Sequence, residues 1–313
     1  MPGIGISSFL CAITCPLCGG GDYSVLFSSR YPENQTAEQL QQAFRASSDE
    51  KLMDQLVRCR NCELVYVNPR IDDVLLVESY ESAVDPEFIK QNRERIQTFS
   101  KLLKKTLPRV GYQAPPGARL LDVGCAGGAF LVAARDYGFT VTGVEPSRWL
   151  AESGRAQYGL DIRQGILSPG LFPDESFDVV TLWDVIEHVT QPGHVLDSIH
   201  RLVKRDGLLL VNYPDFGSWM ARLLGQRWPF LLSVHLLYYT RATITRQLLK
   251  AGFTPLRIQP HFQTLRLGYI LKRMEPYAGL SRPIRSVIEW VGLGGLPITY
   301  NMGQTLVVAR KSL

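Results

Sequence analysis

Near the N-terminus, four of the six cysteines form two C-x-x-C pairs, Cys15 with Cys18 and Cys59 with Cys62. Two such pairs supply four thiolates, enough to close a tetrahedral structural zinc site. Gly19, which follows the first pair, permits a tight turn around the metal. The spacer over residues 19–58 exceeds the ~15–20 residues of the usual pattern. We therefore expect a zinc site with an insertion around residues 30–50.

A redox dithiol is the alternative for these cysteines. Neither pair lies at the strand–helix junction that is typical of thioredoxin-like sites, which favours the metal. A site closed by four thiolates has no open coordination position, so we expect the zinc to fold its module and not to perform chemistry.

A second group of residues surrounds a glycine-rich turn, Asp122-Val-Gly-Cys-Ala-Gly-Gly128. Residues without a β-carbon let a ligand approach the backbone, and the helix that follows offers unpaired N–H groups. Glu145 ends the next predicted strand, where a carboxylate can accept hydrogen bonds from both hydroxyls of a ribose. The pattern predicts a site for a nucleotide-like cofactor.

The alternative cofactor is a nicotinamide dinucleotide, whose fingerprint is Gly-x-Gly-x-x-Gly. Counted from Gly124, that fingerprint needs glycine where the chain has Ala126 and Ala129. Asp122, just before the first glycine, would repel a pyrophosphate but suits a cofactor that carries an amino group and a sulfonium charge. The turn therefore favours a sulfonium cofactor.

Two histidines follow predicted strands and so lie at the edge where ligands bind in open α/β sheets. His188 ends the segment Trp183-Asp-Val-Ile-Glu-His188. It is either a capping or supporting residue or a general base, since imidazole titrates near neutral pH. His235 lies beside Tyr238 and Tyr239 and is the second candidate for a base near the reacting group, the alternative being packing before a helix cap at Thr240.

The elements that must position these residues alternate regularly between strand and helix. Helices are predicted at 86–107, 128–137, 149–158, 193–203 and 240–251. Strands are predicted at 119–123, 140–145, 161–164, 177–183, 207–213, 253–259 and 304–309. This alternation, with glycines closing several helices, predicts an α/β fold with a doubly wound, mainly parallel seven-stranded sheet and a small N-terminal zinc-binding domain.

Three segments together resemble the successive motifs of class I S-adenosylmethionine-dependent methyltransferases: Leu121–Phe130, Gly143–Ser147 and Phe177–Val189. The resemblance implies that the glycine turn wraps the methionine part of S-adenosylmethionine and that Glu145 holds its ribose. Ala126 replaces a commoner glycine, and Ile166 stands near the place of an acid that often faces adenine. The cofactor contacts implied are Asp122, Gly124, Cys125, Ala126, Gly128, Glu145, Pro146, Ile166, Trp183 and Asp184.

The segment Cys62-Glu-Leu-Val-Tyr-Val-Asn-Pro-Arg70 resembles the zinc-knuckle module that precedes the methyltransferase domain in a group of bacterial enzymes. Those enzymes are often tied to polysaccharide or natural-product pathways, and sugar C-methyltransferases carry a related knuckle. The resemblance implies a glycan precursor or another small molecule as the methyl acceptor.

The chain divides into three predicted parts. A zinc-knuckle module covers 1–75, a helical connector 76–114 and the methyltransferase domain 115–313, with lid insertions at 214–239 and 261–303. The first insertion is aromatic and suits a cyclic or hydrophobic acceptor. The second alternates apolar and basic residues, which predicts a helical cap over the site or, as the alternative, peripheral contact with a membrane surface.

Composition narrows the remaining classes. The net charge of +5 is spread over short clusters and forms no basic stripe, which argues against a nucleic-acid partner. We expect no transmembrane segment and no secretory signal, and the paired cysteines favour a reducing, cytoplasmic setting.

The sequence therefore predicts methyl transfer from S-adenosylmethionine to a small-molecule or glycan-precursor acceptor. The alternatives are a non-catalytic, cofactor-dependent binding or scaffold protein, a nicotinamide oxidoreductase, and a nucleic-acid methyltransferase, since zinc knuckles can bind RNA. The oligomeric state, the acceptor and the methylated atom are not specified by these patterns.

Overall fold

The computed structural model describes residues 10–31, 50–72, 76, 79–275 and 281–312. The strands are β1 (Leu10–Cys11), β2 (Tyr23–Phe27), β3 (Leu56–Cys59), β4 (Val65–Val67), β5 (Arg70–Ile71), β6 (Arg119–Val123), β7 (Thr140–Glu145), β8 (Ile162–Gln164), β9 (Phe177–Trp183), β10 (Val203–Pro214), β11 (Leu237–Tyr238), β12 (Phe253–Pro260), β13 (Gln263–Arg266), β14 (Pro297–Tyr300) and β15 (Gln304–Lys311). The helices are α1 (Pro86–Ile89), α2 (Asn92–Thr106), α3 (Ala129–Tyr137), α4 (Arg148–Tyr158), α5 (Pro192–Leu202), α6 (Trp219–Leu224), α7 (Arg241–Lys250), α8 (Leu267–Met274) and α9 (Ser281–Trp290).

The predicted seven-stranded sheet is confirmed, in the order β12-β15-β10-β9-β6-β7-β8. Strands β6 to β10 pair in parallel, and β15 runs antiparallel to both of its neighbours. The strands at the centre of the sheet are buried on both faces, as expected for parallel strands covered by helices. The register sets Asp122 of β6 opposite Thr181 of β9, which brings two polar side chains together inside the sheet.

The helix predicted over 86–107 is broken between α1 and α2. Asp85 caps α1, and its Oδ1 accepts a hydrogen bond from the Phe88 N–H at 2.9 Å. The break lets the corner between the two helices press against the glycine turn. A Cβ at Gly127 would lie 2.1 Å from Cδ1 of Ile89 at the end of α1. This long-range contact leaves no trace in the periodicity of residues 86–107.

The segment over 214–239, predicted as a lid, also belongs to the N-terminal module. Its strand β11 pairs with β4 and completes a four-stranded sheet in the order β11-β4-β3-β2. Trp228 is fully buried in a cluster with Leu56 and Val65. The segment therefore ties the cysteine-bearing strands to the main domain, because a two-residue strand finds its backbone partners only across that boundary.

The insertion over 261–303 folds as the β13–β14 hairpin with α8 and α9. The side chains of Val287 and Trp290 on α9 are 61% and 86% exposed. Within the residues described, we find no helix of sufficient length and apolar character to cross a membrane. The exposed apolar side chains leave peripheral membrane contact as a prediction.

Candidate active site

One cavity of about 870 Å³ opens at the carboxyl ends of β6, β7 and β9. Its walls come from the glycine turn, the segment after β9, helices α1 and α2, and residues of both insertions. Ligands bind at this edge in open α/β sheets, and the volume lies near the upper end of the ~300–1,000 Å³ that is usual for small-molecule sites. The cavity therefore has room for two small molecules side by side.

The glycine turn exposes its backbone to this cavity through unusual conformations. Gly124 has φ +72°, and a Cβ there would lie 2.6 Å from Cγ2 of Val185. Ala126 has φ +46°, a left-handed conformation that costs an alanine about 1–2 kcal/mol. Glu145 braces the turn because its Oε2 accepts a hydrogen bond from the Ala126 N–H at 2.8 Å. Its Oε1 accepts another from the Ser147 N–H at 2.9 Å.

The structure places nearly all of the predicted cofactor residues on the cavity wall. Those that line it are Asp122, Gly124, Cys125, Ala126, Glu145, Pro146, Ile166, Trp183 and Asp184. Gly128 does not line it. With φ +77°, Gly128 starts α3, and a Cβ there would lie 2.3 Å from Cδ1 of Leu160. Glycine is required at position 128 because the turn packs closely against Leu160. This packing explains its place in the motif without a ligand contact.

Buried carboxylates dominate the end of the cavity near β6. Burial raises the pKa of Asp122 to about 8 and that of Glu145 to about 7. The Asp122 carboxylate accepts a hydrogen bond from Oγ1 of Thr181 at 2.6 Å. Burial also raises the pKa of Asp184, although Asn212 and Gln304 both donate to its Oδ1. Each of these groups would gain from a cationic ligand.

Arg95 of α2 faces the same carboxylates from across the cavity. Its guanidinium stacks over the Phe88 ring at 4.2 Å and attracts Asp184 and Asp122 electrostatically, while burial lowers its pKa. Among the described residues its Nε finds no hydrogen-bond partner. A guanidinium beside buried acids suits a ligand that carries both charges, such as an amino acid.

The two predicted catalytic histidines meet on the opposite wall. The rings of His188 and His235 are edge to face, with centroids 4.7 Å apart. Nδ1 of His188 lies 2.9 Å from the carbonyl oxygen of Val234 and 2.9 Å from the Tyr80 hydroxyl. Burial lowers the pKa of His188 to about 4 and that of His235 well below its usual value. Both imidazoles are therefore neutral at neutral pH, and each is a weak base.

Glu187 lies directly beside this pair. It is 2% exposed, and burial raises its pKa well above the usual range. Within the described part of the chain, neither carboxylate oxygen has a hydrogen-bond partner. Its backbone carbonyl accepts from Leu236 and Leu237, which holds the His235 segment against the end of β9.

The four paired cysteines converge, away from the cavity, in the N-terminal module. Sγ of Cys15 lies 3.4 Å from Sγ of Cys62, and Sγ of Cys18 lies 3.5 Å from that of Cys59. All four sulfurs lie within 4.8 Å of one another. With Zn–S bonds of ~2.3 Å, tetrahedral sulfurs stand roughly 3.8 Å apart, so the residues present fit a zinc ion.

Sequence reasoning missed Arg95 and Tyr80 and gave Glu187 no role of its own. Glu187 stands next to His188 in the motif, and that adjacency was the one available signal. Arg95 and Tyr80 belong to segments whose contacts with the cavity depend on how α1, α2 and the preceding residues pack. Nothing in the local spacing distinguishes them from surface residues.

Comparison with known proteins identifies the domain. A family described as "Methyltransferase domain" matches residues 90–258, more than half of the chain. Ubiquinone biosynthesis O-methyltransferase of Caulobacter sp. is 38% identical over 104 residues, which are 30% of this chain and 40% of that protein. The 2-methyl-6-phytyl-1,4-hydroquinone methyltransferase of Synechocystis sp. is 34% identical over 106 residues, 31% of this chain and 32% of that protein. The chain thus spans less than half the length of these curated relatives.

A solved structure supports the fold. A chain from the complex between the Haloferax volcanii Trm112 methyltransferase activator and a methyltransferase superposes with a TM-score of 0.52. It is 17% identical and covers 71% of this chain and 91% of its own, so the likeness concerns the fold alone. The matched family, together with the glycine turn that Glu145 braces, establishes that the chain belongs to the class I S-adenosylmethionine-dependent methyltransferases.

Proposed function

We propose that this protein transfers a methyl group from S-adenosylmethionine to an oxygen of a small-molecule acceptor, with an aromatic or quinol-type hydroxyl as the favoured class. One observation carries the proposal: a single cavity holds the glycine turn with Glu145 on one wall and His188 with His235 on the other. The acceptor class is supported by the names of the two relatives, a ubiquinone biosynthesis O-methyltransferase and a 2-methyl-6-phytyl-1,4-hydroquinone methyltransferase.

The cofactor half of the cavity suits each part of S-adenosylmethionine. We expect Glu145 to accept hydrogen bonds from the ribose hydroxyls and Ile166 to contact adenine, since both line the cavity and Ile166 is 58% exposed. We expect Asp122 to hold the ammonium group and Arg95 the carboxylate of the methionine part, since both line the same cavity. Asp122 is buried, and charges of opposite sign attract each other more strongly away from bulk water.

The acceptor half is shaped mainly by apolar residues of the second insertion, among them Leu265, Ile270 and Ile298. S-adenosylmethionine supplies a methyl group that is already activated by its sulfonium charge. The residues of this chain therefore have to hold the acceptor oxygen in line with that methyl group, and positioning of this kind is worth on the order of 7–11 kcal/mol. His188 and His235 are the candidates to accept the proton of the hydroxyl.

The four cysteines are proposed to hold a structural zinc ion. Their module shares the sheet through β11 with the segment that carries His235, so its folding supports the acceptor wall. A glycan precursor as acceptor, a cytoplasmic location, peripheral membrane contact and the domain boundaries 1–75, 76–114 and 115–313 remain predictions of the sequence.

Calorimetric titration with S-adenosylmethionine and S-adenosylhomocysteine tests the cofactor half. We expect both to bind, and Glu145→Ala to weaken binding by at least about tenfold, since charge-assisted hydrogen bonds are worth ~1.5–3 kcal/mol. Glu152→Ala, an exposed acid on α4, is the matched control and should bind like the wild type. A folded protein that binds neither compound would refute the proposal.

The acceptor is tested by incubating the protein with methyl-labelled S-adenosylmethionine and a panel of catechols, hydroquinones and nucleotide sugars. Label in a catechol or hydroquinone product supports the favoured class, and label in a nucleotide sugar supports the glycan alternative. Cofactor binding without turnover on any acceptor would favour the non-catalytic alternative.

A further inference from the structure

Glu187, His188 and His235 form a compact cluster on the cavity wall. One ligand-type atom of each residue lies within 4.8 Å of those of the other two. Glu187 is 2% exposed and His235 5% exposed, and all three line the cavity. The Glu187 carboxylate has no hydrogen-bond partner among the described residues, which is costly for a buried polar group. Such a carboxylate signals a partner that the described residues do not provide.

The orientation of both histidines points to what that partner is. A carbonyl oxygen only accepts hydrogen bonds, so the His188 tautomer that bonds to the Val234 oxygen at 2.9 Å carries its proton on Nδ1 and donates it. For the same reason Nδ1 of His235 donates to the Phe230 oxygen at 2.8 Å. Each ring thus keeps its lone pair on Nε2. A histidine that binds a metal almost always anchors its other ring nitrogen in this way.

We propose that Glu187, His188 and His235 bind one divalent transition-metal ion at a site separate from the four-cysteine cluster. The open coordination positions of this ion take the oxygen of the methyl acceptor. Two imidazoles and one carboxylate on one side of a metal leave positions free for an exogenous ligand. The second part of this inference rests on the proposed function, whereas the binding of the metal does not.

The three ligand atoms need to move only a short distance to bind one ion. Nε2 of His188 lies 4.0 Å from Oε1 of Glu187. Imidazole and carboxylate ligands stand about 2.0–2.2 Å from a zinc-sized ion. Side-chain rotations that bring each ligand atom inward by roughly an ångström would therefore suffice, while the Nδ1 anchors keep the rings facing the cavity.

A metal at this place would do what two weakly basic imidazoles do poorly. Bound to the ion, the acceptor hydroxyl loses its proton to solvent more readily, because the cation stabilises the oxyanion. A lone pair of that oxygen then forms the bond to the methyl carbon. The electrons of the breaking sulfur–carbon bond go to sulfur, which leaves the neutral thioether S-adenosylhomocysteine. An acceptor with two neighbouring oxygens could occupy both open positions.

Cobalt(II) added to protein whose cysteine cluster is already loaded with zinc tests the site. Bound cobalt is counted by elemental analysis after desalting and is titrated through its visible absorption. We expect one cobalt per chain in addition to the zinc. Glu187→Gln and His235→Gln should each weaken cobalt binding by at least about tenfold.

The matched control is His194→Gln, because His194 is an exposed histidine that lines the same cavity outside the cluster. It should bind cobalt like the wild type. The proposal is overturned if the folded wild type binds no additional cobalt, or if all three variants bind it equally well. Two variants on different segments guard against a single substitution that prevents folding, and thermal melts identify such a case.

Titration with S-adenosylmethionine in the same preparations separates the two proposals. Cofactor binding without additional cobalt would overturn the metal site and leave the proposed function standing. Additional cobalt that depends on Glu187, in a protein that binds no S-adenosylmethionine, would support the metal site and overturn the proposed function.

Discussion

The four-cysteine cluster and the Glu187–His188–His235 cluster both gather side chains that bind metals, yet they are assembled from different parts. Each cysteine pair is built by one tight turn, so its two sulfurs are neighbours before the chain folds further. Glu187 and His188 instead meet His235 only after the segment behind β10 has returned to the end of β9. The first cluster therefore joins two local pairs through the Cys15–Cys62 and Cys18–Cys59 contacts, whereas the second joins one adjacent pair to a single residue of a distant segment.

The surroundings of the two clusters also differ, since one cluster is buried in a core and the other lines the cavity. Cys15, Cys59 and Cys62 are buried in an apolar core and do not line the cavity. All three residues of the second cluster do line it. A closed site suits a metal that stabilises a module, and an open site suits one that meets a ligand. The location of each cluster, more than its ligand types, indicates whether its metal would stabilise the fold or meet a ligand.

We expect the largest effect from a substitution that breaks the four-cysteine cluster. Cys59→Ser should remove the zinc and lower the free energy of unfolding by about 4 kcal/mol or more, because loss of a metal site is among the few mechanisms that reach this size. Zinc content and urea unfolding measure it. Cys11→Ser, outside both pairs, is the control and should change neither. Full zinc content in Cys59→Ser would show that the cysteines do not bind it.

Chelation separates the two clusters. Brief dialysis against a chelator should strip the open histidine–glutamate site, and methyl transfer should fall by roughly tenfold or more, while zinc in the closed site stays bound. Activity and zinc content are measured on the same sample. Restoration by added divalent metal is the control. Simultaneous loss of zinc and activity, or no loss of activity, would contradict the distinction.

Asp122 extends the comparison to a second buried carboxyl group that faces a cavity. Burial raises its pKa from 3.8 to about 8 in the folded protein. The folded state therefore favours the protonated form, and this contribution to stability is present below pH ~4 and lost as pH rises through ~8. Asp122→Asn should be more stable than the wild type by a few kcal/mol at pH 9, from ~1.4 kcal/mol per pKa unit, and should differ little at pH 4.

Urea unfolding at pH 4, 7 and 9 measures the effect, with the exposed Asp197→Asn as control. Equal pH dependence in the wild type and Asp122→Asn would show that the Asp122 pKa is not raised. The cationic groups of S-adenosylmethionine favour the ionised carboxylate, so cofactor affinity should rise more steeply with pH in the wild type than in Asp122→Asn, where Glu145 still titrates.

Tyr80→Phe should give the smallest effect. Removing a hydroxyl that lies 2.9 Å from Nδ1 of His188 costs about 1 kcal/mol, so kcat/KM should fall roughly fivefold. The dissociation constant of S-adenosylmethionine should stay unchanged, because Tyr80 touches the acceptor wall. Tyr137→Phe on α3, away from the cavity, is the matched control. Weaker cofactor binding in Tyr80→Phe would mean that the Tyr80 hydroxyl supports the fold of the whole site and not the acceptor wall alone.

Much of the main domain could be predicted because its signals are local. The strand over Thr140–Glu145 was predicted with both of its bounds correct. The helix that Gly138 ends was predicted with its last residue correct. The turn that starts at Asp122 and the acid at Glu145 stand at fixed places in a strand–turn–helix unit, so their meeting follows from chain order. What remained unseen was that Glu145 also holds the turn itself.

The elements that escaped prediction depend on distant partners. The break between α1 and α2 fits a contact with Gly127, and β11 is a strand only because β4 lies beside it. Arg95 and Tyr80 face the cavity through the packing of these segments. No periodicity of 2 or 3.6 residues records such contacts, since periodicity reports which face is buried and not against what.

The sequence by itself determined the doubly wound sheet, the glycine turn and the two cysteine pairs, because hydrophobic periodicity, missing β-carbons and short ligand spacing act within a few residues. Only the tertiary structure decided that Glu187, whose carboxylate has no hydrogen-bond partner among the described residues, and its neighbour His188 meet His235. Burial and the return of a distant segment create that cluster, and both are properties of the folded chain.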